Sequence, residues 1–415
     1  MKNVRHRRLP AALAGLLGLA LAAGTLAAPA QADTTYVDEP GGERVTYASS
    51  DPDDPADAWA TYLRLMTIPS RANDFKPVSK APGPGTGACP PRRCRDISVP
   101  VPAGVKVDSN KARVILPVGY FAKKNRTRRY PVVYLFNGAL SPYTRWSEST
   151  QIVKTAEPLQ VILVMPEGGR NEFAGFFTDW HDGTFQWESF HIRGVLPTID
   201  RLYRTVPGAR VSVGASMGAL GALIYPARHP GAFQSALSIS GFVDTNQAVA
   251  NALPEPLGQL IGASQPNLTR VWGSPLLQRA NWAAHNPVEL APQLRDVSLF
   301  IASGTGSPDQ SAETGAVINS PYTEQLLWTG HRTFLAALTA AGVGYEARIR
   351  EGGGHYWWHF EEPLRWGLPQ AVSAALAKSG YVYVPPATTK ASPKKKSAPK
   401  KNKKGKKKAK KRAKK

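Results

Sequence analysis

Continuous apolar runs recur through the middle of this chain, each closed by a glycine-rich or polar break. They occupy residues 130–136, 159–166, 211–213, 236–241, 297–304 and 345–349. Short runs rich in Val, Ile, Leu and aromatic residues read as strands buried on both faces. Residues 96–101 and 111–117 read as two earlier, antiparallel strands, and helical stretches such as 323–341 lie between the later ones. Strands alternating with helices predict a mostly parallel sheet covered by helices on both sides. The segment 244–287, rich in Asn, Gln and Pro, is a natural place for a cap-like insertion.

The two ends have a different character. Residues 33–94 are polar and rich in Pro and Gly, with one short helical pattern at 57–65, and read as an irregular extension. The fold is expected to span 95–386, and 387–415 is a Lys-rich tail that cannot bury a core and reads as disordered. At the other end, Arg5-His6-Arg7-Arg8 precedes a run of Ala, Leu and Gly, and Ala30-Gln31-Ala32 fits a small-x-small cleavage pattern. Residues 1–32 therefore read as an export signal, predicting a secreted mature chain that begins at Asp33. No internal repeat is visible.

This division changes the meaning of the formal charge of +22. Four basic residues lie in 1–32 and sixteen in 390–415, with no acid in either stretch, so the remainder is nearly neutral. Specific nucleic-acid recognition is therefore not expected of the folded part. The tail is expected to adhere to polyanions such as cell-wall polymers or anionic lipid. The two cysteines, Cys89 and Cys94, are expected to close a small disulfide loop in an exported chain.

The candidate chemistry centres on Gly214-Ala215-Ser216-Met217-Gly218, between a β-branched run and a small-residue helical run. G-x-S-x-G at a strand-to-helix junction is a nucleophile elbow, in which a tight turn lifts the serine above the sheet edge. With the parallel sheet, this predicts an α/β-hydrolase fold. A serine needs a base, and in this fold the chain order is Ser, acid, His. His355 follows the last strand in Gly352-Gly353-Gly354-His355 and is the candidate base, with His359 in reserve. His229 lies at the end of the elbow helix and reads as structural. For the acid, position favours Asp309 or Glu313, with Glu324 a third choice, and the residues alone leave these open. A second oxyanion donor is expected after the strand ending at Phe136, pairing the backbone N–H of Ala139 with that of Met217. This chemistry needs no metal and no organic cofactor.

Several further motifs occur in one order: Tyr134-Leu135-Phe136-Asn137-Gly138, Met165-Pro166-Glu167-Gly168-Gly169, Phe177-Thr178-Asp179-Trp180 and Trp187-Glu188-Ser189-Phe190. His229-Pro230, Ser240-Gly241-Phe242 and His355-Tyr356-Trp357 continue the series. In these the chain resembles the actinobacterial mycolyltransferases of the antigen 85 family and their esterase relatives, from about Arg95 to Leu376. The resemblance implies Glu324 as the acid, ten residues before Phe334. It also implies Ala139 as oxyanion donor, His355 as base, and Asn137 and Trp357 as substrate-site residues. Trehalose-binding members carry Asp-Gly-Leu-Arg where this chain has Asn137-Gly138-Ala139-Leu140, so the carboxylate and the arginine are both replaced.

The expectation is a secreted serine esterase or acyltransferase that forms an acyl-enzyme on Ser216 and passes the acyl group to water or an alcohol. Transfer to trehalose or diacylglycerol, hydrolysis of carbohydrate esters, and a non-catalytic surface-binding protein acting through its basic tail are the alternatives.

Overall fold

The computed structural model describes residues 89–139, 141–169, 175–246, 268–307 and 320–382, together with the backbone of two strands at 36–38 and 44–49. The read-out export signal, the helical pattern at 57–65, much of the cap-like insertion and the Lys-rich tail lie outside the described residues.

The apolar runs form the sheet. In chain order its strands are β1 (Tyr36–Asp38), β2 (Arg44–Ser49), β3 (Cys94–Ser98), β4 (Lys111–Ile115), β5 (Tyr130–Phe136), β6 (Ile162–Pro166), β7 (Thr205–Ala215), β8 (Ser235–Ile239), β9 (Ser298–Gly304) and β10 (Tyr345–Arg350). Their spatial order is β1-β2-β10-β9-β8-β7-β5-β6-β4-β3. The six strands from β10 to β6 run parallel, and the pairs at either margin are antiparallel. The segment read as irregular thus contributes a hairpin, β1–β2, that extends the sheet past β10.

The absence of a polar face follows from coverage on both sides. In β5 every residue is buried. Tyr130, Val132, Tyr134 and Phe136 enter one core, while Val133 and Leu135 enter the other. Alternate side chains of a strand point to opposite faces, so a strand roofed twice must be apolar throughout. Helices Met217–Arg228 and Pro321–Ala340 cover the first face. Helix Glu361–Ser379, with two short helices at Arg145–Ser149 and Ile152–Ala156, covers the second.

β7 is longer than its apolar run predicts. Pro207 and Gly208 disguise its first half, and a register shift between Tyr130 and Val132 absorbs the irregularity where β5 pairs with it. The Cys89–Cys94 disulfide is formed, with Cα atoms 5.1 Å apart, and Cys94 opens β3. Among the described residues no helix is long and apolar enough to cross a membrane.

A buried ionic cluster fastens the far end of helix Met217–Arg228. Glu188 Oε1 accepts from Arg228 Nε at 2.7 Å and lies 2.6 Å from His229 Nε2. Arg228 Nη1 also donates to the Ala284 carbonyl at 2.7 Å, which ties the helix to the segment leading into β9. Burial alone would push the Glu188 carboxyl up, but His229, His285 and Arg228 outweigh it and hold the group well below the usual range. A depressed carboxylate stabilises the fold above its unfolded pKa, and that contribution fades as pH falls through the folded one. Glu188→Gln is therefore expected to lose about 1–3 kcal/mol at neutral pH, the scale of a charged hydrogen bond. Urea unfolding at descending pH should show the gap to wild type narrowing; a gap independent of pH would refute the charge's role.

Candidate active site

The elbow is built by close backbone approach. Ser216 sits at φ +59 and ψ −125, between the end of β7 and helix Met217–Arg228. A Cβ on Gly214 would lie 2.0 Å from the Gly218 carbonyl oxygen, and one on Gly218 would lie 2.2 Å from that of Phe136. Only glycine fits either position, so both glycines of the motif are required by contact. The serine's backbone is pinned by its own N–H to Ile239 O at 3.1 Å and by the Phe242 N–H to its carbonyl at 3.1 Å. Such a strained residue persists because its surroundings over-determine it. Unlike most residues around it, Ser216 is not buried.

The residues expected as acid and base come from two later elements. Ser320 caps helix Pro321–Ala340 by accepting the Thr323 N–H at 3.1 Å, and Glu324 lies in the first turn. The Ser320 carbonyl also accepts the His355 N–H at 3.0 Å, so the helix start and the glycine-rich loop after β10 are joined directly. Glu324 Oε2 lies 2.9 Å from His355 Nδ1. Its other oxygen, Oε1, accepts the Ser240 hydroxyl at 2.6 Å and the Gly304 N–H at 2.7 Å. Burial alone would push the Glu324 carboxyl up, but His355, Ser240 and Gly304 pull it below the ordinary glutamate range. An ionised carboxylate facing Nδ1 keeps the proton there and leaves Nε2 as the ring's free acceptor. Of the three acids considered from sequence, Glu324 meets His355, while Asp309 and Glu313 lie outside the described residues.

His355 and Ser216 are brought to one locality without a direct hydrogen bond between their side chains in this structure. Gly138 marks that locality. A Cβ there would stand 3.5 Å from Ser216 Cβ and 3.8 Å from the Trp357 ring. Trp357 packs edge-on against Trp146, with ring centroids 5.2 Å apart, and forms an aromatic wall beside the serine. Met217 N–H belongs to the first residue of the elbow helix, where unpaired donors and the positive dipole end face outward. Ala139, the second expected donor, follows Gly138 directly.

Other predicted residues take bracing positions. Asn137 is fully buried, and its amide donates to the Ser141 carbonyl at 2.7 Å and the Gly138 carbonyl at 3.1 Å. It holds the loop from inside. His359, the reserve base, places Nδ1 2.8 Å from the Gly354 carbonyl oxygen and braces the loop that carries His355. Burial and the charge of Arg350 push its pKa down to about 3, so it is neutral at ordinary pH. His229 is engaged with Glu188, in keeping with its structural reading. Ser240 and the Gly304 N–H were missed from sequence as partners of the acid. Ser240 stood in a recognised motif, Ser240-Gly241-Phe242, but nothing in the motif tells that its hydroxyl meets a residue 84 positions away.

Comparison with known proteins places the chain in a family. The family profile described as Esterase matches residues 108–371. The protein named Esterase Rv1288 from Mycobacterium tuberculosis is 33% identical over 252 residues, covering 58% of this chain and 51% of that protein. The chain therefore spans about half the length of that relative. The diacylglycerol acyltransferase/mycolyltransferase Ag85B of Mycobacterium leprae is 27% identical over 263 residues, covering 60% of this chain and 77% of the other. Among solved structures, Mycobacterium tuberculosis MPT51 (FbpC1) superposes with a TM-score of 0.55 at 21% identity, covering 68% of this chain and 98% of the other. A ferulic acid esterase superposes with a TM-score of 0.50 at 21% identity, covering 68% and 99%. Both share the α/β-hydrolase fold with this chain.

Proposed function

The chain belongs to the esterase family, and from that premise we propose that it is a serine esterase or acyltransferase with Ser216 as nucleophile, His355 as general base and Glu324 as the acid that orients it. The observation that carries this reading is the 2.9 Å contact of Glu324 with His355 Nδ1 in the locality of a strained elbow serine. Ser216 Oγ attacks the ester carbonyl carbon as His355 Nε2 takes its proton, and the carbonyl oxygen becomes an oxyanion held by the Met217 and Ala139 N–H groups. Collapse expels the alcohol, which receives the proton from His355, and leaves an acyl group on Ser216. A water or a second alcohol, deprotonated by His355, then attacks that acyl-enzyme and frees the serine.

Hydrolysis is the primary reading. Transfer to an alcohol is the second, supported by the 27% identity to a diacylglycerol acyltransferase/mycolyltransferase. Trehalose is the acceptor least supported, because Asn137 and Leu140 replace the Asp and Arg of the resembling motif and Asn137 faces inward. Export through residues 1–32 and attachment to polyanions through the Lys-rich tail belong to the same proposal.

A single experiment tests the assignment. The protein is treated with a fluorophosphonate probe and digested, and the labelled peptide is sequenced by mass spectrometry. Labelling at Ser216, with ester turnover lost in proportion, is the expected result; turnover that survives full labelling would sink it. Running the ester assay with glycerol or trehalose present separates the two readings, since an acceptor that is used yields a new ester instead of free acid. A chain ending at Pro386 should turn over esters as fast as the full one; if activity vanishes with the tail, the surface-binding alternative gains.

A further inference from the structure

Two serines with positive φ stand at the ends of adjacent strands. Ser216 follows β7 at φ +59, and Ser240 follows β8 at φ +45. A non-glycine residue in this region costs roughly 1–3 kcal/mol, persists only where the surroundings enforce it, and is a pointer towards function. For Ser240 the enforcement is visible. Its N–H donates to Ala302 O at 2.8 Å, the following Gly241 N–H points at His331 Nε2 at 3.4 Å, and the Phe242 N–H reaches Ser216 O at 3.1 Å.

The strained turn aims one group. The Ser240 hydroxyl, almost wholly buried, donates to Glu324 Oε1 at 2.6 Å. The same oxygen accepts the Gly304 N–H, whereas Ser303 Oγ is 3.4 Å from it and closer to its own neighbour's carbonyl, Gly304 O, at 3.0 Å. Among the described residues, Ser240 is thus the closest side-chain donor to Glu324. With Oε1 held by two strong donors, Oε2 is the oxygen left to face His355 Nδ1.

We propose that Ser240 is a positioning residue for the reaction: its hydroxyl locks the Glu324 carboxylate in the orientation that presents Oε2 to His355, and the strained turn after β8 is kept for that purpose. This rests on the reading of Ser216, Glu324 and His355 given above. Without the hydroxyl, the carboxylate keeps the Gly304 N–H and the long 3.4 Å contact of Ser303 Oγ on its inner oxygen and is freer to rotate about its last torsion, which loosens the imidazole's tautomer and aim.

Charged and titratable groups face the carboxylate from every packed element. His355 and His359 come from the loop after β10, His331 from the acid's own helix, Arg348 and Arg350 from β10, and Glu362 from the last helix. Arg348 and Glu362 are ion-paired at 2.5 Å. Because the Ser240 hydrogen bond is one of the interactions that lower the Glu324 carboxyl, its loss raises that group. The ionised form is then lost at a higher pH on acidification, so the stability that the carboxylate contributes begins to fade at a higher pH than in the wild type.

The test compares Ser240→Gly, Ser240→Ala and Ser216→Ala with the wild type, in ester hydrolysis across pH and in thermal unfolding. Glycine is free at φ +45, so Ser240→Gly is expected to keep or raise Tm while kcat falls roughly 10–100-fold, the scale of one lost charged hydrogen bond. KM should stay within about twofold, since no substrate contact is removed. Ser240→Ala, which keeps the strain, should match those kinetics at a lower Tm. Wild-type kcat in the glycine variant would overturn the proposal, as would a kcat loss that merely follows a fall in its Tm. Activity persisting in Ser216→Ala would instead overturn the underlying assignment, so the two failures are distinguishable.

Discussion

Ser216→Ala is expected to remove on the order of 10⁶-fold in kcat from ester hydrolysis, the scale seen when the nucleophile of a serine triad is deleted. The structure argues for so large an effect with so little collateral damage. Alanine keeps the Cβ and removes only Oγ, so the Gly138 contact at 3.5 Å is undisturbed and the φ of +59 is no more strained than before. The backbone bonds that pin the elbow do not involve the hydroxyl. Circular dichroism and thermal unfolding should therefore coincide with wild type while turnover of p-nitrophenyl esters disappears into the background. A variant that keeps more than a few per cent of wild-type kcat would mean that another group carries the chemistry.

The second large effect is expected from Glu324→Gln, at about 10⁴-fold in kcat, by analogy with an amide in place of the triad carboxylate. The new amide is nearly isosteric. Its carbonyl oxygen can still accept from the Ser240 hydroxyl and the Gly304 N–H, which hold Oε1 at 2.6 and 2.7 Å. That choice turns the NH₂ group towards His355 Nδ1, 2.9 Å away, where a donor now meets a donor. The ring responds by moving its proton to Nε2, the atom that has to accept the serine's proton. The loss is therefore one of tautomer, and the fold should survive it.

The pH dependence follows from the same carboxylate. Its pKa is lowered below the ordinary glutamate range, so its contribution to stability is present above the unfolded value and fades as pH falls through the folded one. Comparing thermal unfolding of wild type and Glu324→Gln from neutral to acidic pH checks this. A gap that widens on acidification would contradict the sign.

The legible parts of this protein are those where a local pattern has a local cause. The apolar run 130–136 became β5 over those same residues because a doubly covered strand has no polar face to show. Gly214 and Gly218 marked the elbow because only a residue without a Cβ fits 2.0–2.2 Å from another segment's backbone. The first half of β7 was hidden by Pro207 and Gly208, which read as a break in a strand that tolerates them at a register shift. The β1–β2 hairpin was hidden because its pairing partner, β10, lies some 300 residues away in sequence. Asn137 stood in a recognised motif, but spacing does not reveal that its amide turns inward to the Ser141 carbonyl.

By itself, the sequence determined the parallel sheet, the elbow serine and the histidine on the glycine-rich loop, because periodicity and glycine placement act over a few residues. It offered three positions for the expected acid and, through resemblance, pointed to Glu324. Tertiary structure alone decided that Glu324 meets His355, that Ser240 and Gly304 hold its second oxygen, and that Asn137 and His359 brace loops. Those contacts join residues up to 84 positions apart. Their geometry is set by how strands β8, β9 and β10 and helix Pro321–Ala340 pack together, and packing is a property of the whole chain that no short window contains.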